Sequence, residues 1–152
     1  MDNRYKWTRL NHLQLGRYAE YFAKMEFTLH GFDVFTAEVD DKGIDFVIRL
    51  DNQYFDIQVK SVRGNNYIFF TKEKFVLRKN LLATILLFED SKEPLIYLIP
   101  SLEWQNPNGL LVNRDYLNKK SKPEWGISIT QKNRNLLELY QFDKVIDKII
   151  GK

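Results

Sequence analysis

The sequence predicts an α/β fold, a sandwich in which a mixed central β-sheet is flanked by helices. Three observations predict it. A long proline-free amphipathic stretch opens the chain, short strand-like segments separated by turn residues fill the middle, and a second amphipathic stretch closes it. The 152 residues suit a single domain, 1–152, large enough to bury a core without staples.

Residues from about Thr8 to His30 read as one helix, with Thr8 as its cap and Gly31 as its stop. Leu15, Tyr18, Phe22, Met25 and Leu29 recur at helical spacing and form a large apolar stripe. Gly16, Ala19 and Ala23 form a second stripe of small residues, where another backbone can approach. Two such stripes predict a helix buried on two faces. Phe32 to Val39 reads as a first strand, followed by a turn at Asp40-Asp41-Lys42-Gly43. Ile44 to Leu50 and Gln53 to Ser61 read as a hairpin turning at Asp51-Asn52. Further strands are expected at Tyr67–Thr71, Ala83–Glu89, Leu95–Ile99 and Gly126–Thr130, with Phe75–Leu82 ambiguous. Ser101 to Trp104 can form a short helix. Asp143 is expected to cap a last helix carrying Val145, Ile146, Ile149 and Ile150.

Composition narrows the class. A chain that is 44% hydrophobic and 28% charged is neither disordered nor collagen-like. The absence of cysteine excludes a disulfide scaffold, a thiolate zinc site and a cysteine nucleophile. No signal core follows the N-terminus and no apolar run reaches the ~18 residues of a membrane span, so a cytoplasmic protein with no membrane partner is expected. Net charge is +3, but its distribution is uneven. Six acids stand against two bases between Glu38 and Asp56, and six bases against one acid between Lys60 and Lys79. A second basic stretch runs from Arg114 to Arg134. An acidic segment between basic ones suits a cation site within a phosphate-binding surface; a charge-laced solvated surface has the same pattern.

The hairpin carries the chemistry. A two-residue turn pairs residues whose numbers sum to 103, which sets Ile44 against Val59, Phe46 against Ile57 and Ile48 against Phe55. All three pairs are apolar. The same register sets Asp45 opposite Gln58, with Lys60 two residues further on the same face. A four-residue loop would pair Asp45 with Lys60 and preserve the cluster, whereas a three-residue loop would oppose apolar to polar residues. Asp45 suits a hard divalent cation, Gln58 offers a neutral oxygen, and Lys60 can orient water or stabilise charge on a phosphate. On the first helix Glu20 lies about 100° from Ala19 and about 60° from Ala23, so it can reach over the margin of the small-residue stripe. Glu26 is the rival carboxylate. His12 and His30, 18 residues apart, cannot share one metal on one helix. Tyr67, Phe69 and Phe70 either stack on bases or pack in a strand core. No Gly-x-x-x-x-Gly-Lys-[Ser/Thr] loop and no Gly-x-Ser-x-Gly elbow is present.

Gly16-Arg17-Tyr18-Ala19-Glu20, Gly31-Phe32-Asp33-Val34, Gly43-Ile44-Asp45-Phe46-Val47 and Ile57-Gln58-Val59-Lys60-Ser61, in that order, resemble the PD-(D/E)XK nuclease superfamily. The likeness covers roughly residues 10–62 and is similar to archaeal Holliday-junction resolvases and type IV restriction nuclease domains. It implies a restriction-endonuclease-like fold and a metal-dependent nuclease hydrolysing phosphodiester bonds, with DNA as substrate and Mg2+ or Mn2+ as cofactor. By the same resemblance Asp45 is the principal metal ligand, Glu20 assists it, Gln58 stands where the superfamily has Asp or Glu, and Lys60 is the catalytic lysine. Relatives that dimerise to cut two strands imply a homodimer. Gln58 departs from the pattern and supports an alternative: a non-catalytic nucleic-acid-binding or interaction module that retains the fold.

Overall fold

A computed structural model of the protein describes residues 4–36 and 43–151. A 3-10 turn at Trp7–Arg9 leads into helix α1 (His12–Leu29). Strands β1 (Asp33–Thr36), β2 (Phe46–Leu50), β3 (Gln53–Arg63) and β4 (Tyr67–Thr71) follow. Then come β5 (Leu81–Phe88), β6 (Leu95–Pro100), a 3-10 segment at Ser101–Gln105, β7 (Leu111–Arg114) and β8 (Glu124–Ser128). Helices α2 (Arg134–Leu137) and α3 (Phe142–Ile150) end the chain.

Helix α1 starts three residues later than Thr8 predicts. Asn11 accepts from the Gln14 amide at 2.8 Å while the Gln14 side chain accepts from the Asn11 amide at 2.9 Å, a reciprocal cap. Thr8 instead bonds Asp90 through its amide and its hydroxyl, tying the N-terminal turn to the loop after β5. The buried row is Leu15, Ala19, Ala23 and Phe27. The predicted large stripe meets the core only in part: Leu15 is buried and Tyr18 and Phe22 pack at the core's margin, but Met25 and Leu29 are 59% and 76% exposed. Ala19 and Ala23 have no side chain beyond Cβ, so they let the helix lie close on the sheet, and Phe27 fills the space at its end. The helix is therefore covered on one face, not two.

The main sheet has the order β1-β2-β3-β5-β6, with β3 and β5 parallel and every other pair antiparallel. A second sheet has the order β4-β8-β7. One face of the main sheet, with Phe46, Ile48, Ile57, Leu82 and Leu98, packs against α1 and against Val145 and Ile146 of α3. The opposite face, with Leu81, Ala83, Ile85 and Leu87, packs against Trp104, Phe75 and Ile127 beneath the second sheet. This is the expected α/β sandwich with a mixed central sheet.

The hairpin has the two-residue turn. Phe46 pairs with Ile57, Ile48 with Phe55 and Leu50 with Gln53, and Asp51 takes a positive φ of 54°. The ladder stops at Phe46, so the expected rungs Ile44–Val59 and Asp45–Gln58 do not form. The Asp45 amide donates to the Ile57 carbonyl at 2.9 Å instead. The first strand ends within the described residues at Thr36; its expected continuation to Val39, the turn residues 40–42 and four acids and bases of the acidic segment lie outside them. Asp143 is not the cap of α3: Gln141 occupies that position, and Asp143 sits in the first turn, paired with His30 at 3.1 Å. Strand β7 and helix α2 have no counterpart in the sequence reading.

Candidate active site

Strand β3 runs on to Arg63, while β2 begins only at Phe46. Beyond Ile57, β3 therefore has an edge that β2 does not cover. The first amide on that edge, Val59, donates to Asp45 Oδ2 at 2.7 Å. The carboxylate takes the place of a missing ladder partner, and the bond fixes the side chain at the mouth of the hairpin.

Alternation along β3 puts Gln58 and Lys60 on the face turned toward the second sheet. Gln58 is buried, and its amide nitrogen donates to the Lys74 carbonyl at 2.6 Å. That bond turns the Gln58 oxygen away from Lys74. Lys74 lies in the tight turn after β4, where Phe75 N donates to Thr71 O at 2.9 Å. Gly43 makes this approach possible: it has a φ of +77°, and a Cβ there would stand 3.0 Å from Lys74 Cβ and 3.4 Å from Gln58 Nε2. The Lys60 ammonium lies 5.4 Å from the Phe70 ring centroid. Burial lowers its pKa, and the nearby Asp45 carboxylate opposes that shift.

Asp45, Gln58 and Lys60 line one cleft of about 290 Å³ between β3 and the turn after β4. Asp45 also lines a larger cleft of about 500 Å³, whose other wall is α1 with Arg17, Glu20 and Lys24. Of the four predicted site residues, three share the first cleft and Glu20 shares the second with Asp45. Glu20 is held by Lys24 at 3.2 Å, and Lys24 also reaches Thr36 Oγ1 at 3.4 Å. Glu26 is elsewhere, in a cleft formed with Tyr97 and Asp143. His30 is structural: Nδ1 is 2.9 Å from the Glu26 carbonyl and Nε2 is 3.1 Å from Asp143.

Sequence reasoning missed His12 and Arg17 as cleft residues. A signal was available. His12, Gly16, Glu20 and Lys24 form an i, i+4 row beside the buried row Leu15, Ala19, Ala23 and Phe27, with Leu13, Arg17 and Tyr21 on the next row, and both rows line the cleft.

The donor set suits a hard cation: two carboxylates and an amide oxygen, with neither sulfur nor an imidazole needed. Among the described residues no three His, Asp or Glu side chains are grouped to hold a metal ion. A cation here would thus depend on Asp45 and Glu20 for charge and on Gln58 as a neutral ligand.

Two solved structures share this fold. Hjc, a Holliday junction resolvase from the archaeal hyperthermophile Archaeoglobus fulgidus, is 14% identical, with a TM-score of 0.54 over 86% of this chain and 93% of its own. A bacterial homing endonuclease is 16% identical, with a TM-score of 0.57 over 94% of this chain and 98% of its own. The fold is the restriction-endonuclease-like sandwich of these nucleases. No protein-family model matches the chain, and no curated protein matches its sequence. Among the described residues no helix is long and apolar enough to cross a membrane.

Proposed function

We propose that the protein is a divalent-metal-dependent nuclease that hydrolyses phosphodiester bonds of DNA where the two clefts beside β3 meet at Asp45. One observation carries the reading: Asp45, locked by the Val59 amide, stands in the same cleft as the buried Gln58 and a half-buried Lys60. The two nucleases of the same fold support it.

Asp45 and Gln58 would hold a magnesium or manganese ion, with Glu20 alongside. Such an ion supplies a more acidic water and neutralises phosphate oxygens. Lys60 presents an ammonium, partly desolvated by burial, to a non-bridging phosphate oxygen, where negative charge builds as water adds to phosphorus. Val59 N–H keeps Asp45 from rotating out of the cleft. Gln58, fixed by the Lys74 carbonyl, keeps its oxygen directed the other way.

Nicking of supercoiled plasmid with magnesium or manganese tests the reading. Asp45→Asn and Lys60→Ala each reduce the rate by at least about a hundredfold, within the range that one acid–base or electrostatic group supplies. Undiminished nicking by both variants removes these residues from catalysis.

The second reading is a nucleic-acid-binding module that keeps the fold without the reaction. Gln58 favours it, because a neutral ligand leaves the cation only two carboxylates. Calorimetric titration with manganese separates the two: heat that Asp45→Asn abolishes supports the enzyme, and no heat at all supports the module.

A further inference from the structure

The solvent face of the second sheet carries an aromatic platform at the rim of the proposed active site. On β4, Ile68 and Phe70 turn inward to the core, so Tyr67 and Phe69 turn outward. Phe69 is 44% exposed. The two outer rings are stacked, with centroids 6.2 Å apart and planes inclined by 23°. Tyr67 lies across the sheet rather than standing on it. Its hydroxyl donates to Glu124, a carboxylate only 5% exposed, and the Arg114 guanidinium lies 4.3 Å from its ring centroid. Gly126, the partner of Phe69 on β8, makes room: a Cβ at Gly126 would collide with the Tyr67 ring and hydroxyl. Tyr67 is thus pinned from three sides, and Phe69 rests against it with its outer surface in solvent.

Phe69 lines the cleft that holds Asp45, Gln58 and Lys60. It also lines the neighbouring cleft of about 330 Å³ that joins Lys60 and Ser61 to Tyr67. A ring that shares two clefts with Lys60 stands close to any phosphate that meets Lys60. We infer that Phe69, backed by Tyr67, stacks on an unpaired nucleobase next to the scissile phosphate, so that the substrate is DNA with single-stranded nucleotides at the cut.

The substrate class follows from geometry. In an uninterrupted duplex both faces of every internal base are already covered by neighbouring bases. A protein ring stacks without first unstacking a base step only where a neighbour is missing, at a flap, a fork or a single strand, and elsewhere that step must be opened at a cost. The inference rests on the nuclease reading for the position of the phosphate, but its test reads binding rather than cleavage.

Three labelled oligonucleotides decide it: a single strand, a blunt duplex, and a fork with 2-aminopurine at the first unpaired position. Anisotropy titrations are made in calcium buffer with the parent, Phe69→Ala, Phe69→Trp and Tyr54→Ala. Tyr54, 52% exposed at the far end of β3, is the control for a generic exposed aromatic. The parent binds fork and single strand about tenfold more tightly than duplex and quenches the 2-aminopurine. Phe69→Ala loses about tenfold on fork and single strand, within the span of one base–aromatic stack, and little on duplex. Phe69→Trp and Tyr54→Ala bind as the parent does. Equal binding of the fork by parent and Phe69→Ala overturns the inference, as does a parent that prefers duplex; either result leaves the nuclease reading standing. A parent that binds none of the three overturns both.

Discussion

Burial lowers the pKa of Lys60, and the Asp45 carboxylate only partly offsets the effect. The folded protein therefore holds the Lys60 proton less tightly than the unfolded chain does. Below the depressed folded pKa the cost of burying the charge is fully present, and it is relieved as pH rises from there to the unfolded value of 10.5. Replacing the ammonium with an apolar chain removes that cost. Lys60→Met is accordingly more stable than the parent at neutral pH, and thermal unfolding from pH 7 toward pH 10 shows the gap closing while nicking is lost. A variant that is less stable at neutral pH would give Lys60 a structural role in place of a catalytic one. Gln58 makes the opposite case. Its amide donates to Lys74 O from a buried position, so Gln58→Glu loses a donor and sets a carboxylate against a carbonyl oxygen. In chelator this variant is destabilised by about 1–3 kcal/mol, the usual cost of an unsatisfied buried group. Magnesium restores it by more than it stabilises the parent. Equal metal-induced shifts in melting temperature for parent and variant exclude Gln58 from the cation site.

Elements are positioned by residues that have little to do with chemistry. Gly43 carries a positive φ and lies against Lys74 and Gln58. Gly43→Ala brings both backbone strain and a Cβ against the turn after β4, and the cleft must open to accept it. The expected result is a stability loss of about 1–3 kcal/mol, together with weaker metal binding, read by denaturant unfolding and calorimetry. A neutral substitution would show that the turn shifts freely and does not define the cleft. This contact joins two segments more than thirty residues apart, and nothing in sequence periodicity announces it. The hairpin is different: its register was legible because apolar residues fell opposite one another, a constraint that excluded a three-residue loop and left a two- or a four-residue one, of which the two-residue turn forms. On α1 the small residues Ala19 and Ala23 were legible as a place of close approach, and they lie on the sheet. The large apolar stripe was expected to be buried as well, but a helix lying tight on one sheet has no second layer over its far end, so Leu15 is buried while Met25 and Leu29 are left outside. Strand β7, with only Leu111 and Val112 apolar in four residues, was too short to show a period.

Across the whole molecule, the two basic stretches offer fewer phosphate contacts than their composition suggests. Arg63 donates to the carbonyls of Trp7 and Leu10, holding the N-terminal turn to the end of β3. Arg78 pairs with Asp56, Lys72 with Asp115, Lys122 with Glu73 and Arg134 with Glu89. These charges lock loops to strands and are neutralised in place. A linear count could not distinguish them from cations that face a ligand, because the pairing partners lie far off in sequence. Among the described residues, the cations left beside the clefts are Arg17, Lys60 and Lys74, drawn from α1, β3 and the turn after β4. Each phosphate neutralised on duplex DNA contributes roughly −0.9 to the slope of log affinity against log salt, and somewhat less on a single strand. Three cleft cations therefore give a slope of about −2 to −3, whereas all the bases of the two stretches acting together would give one near −10. Titrations of fork DNA between low and moderate salt measure it. Arg17→Ala and Lys74→Ala each make the slope shallower by about one unit, while Arg78→Ala and Lys122→Ala leave it unchanged. A steep slope that Arg78→Ala reduces would mean that its pair with Asp56 opens on binding, and would extend the DNA path from the clefts to the segment between β4 and β5 that carries Arg78.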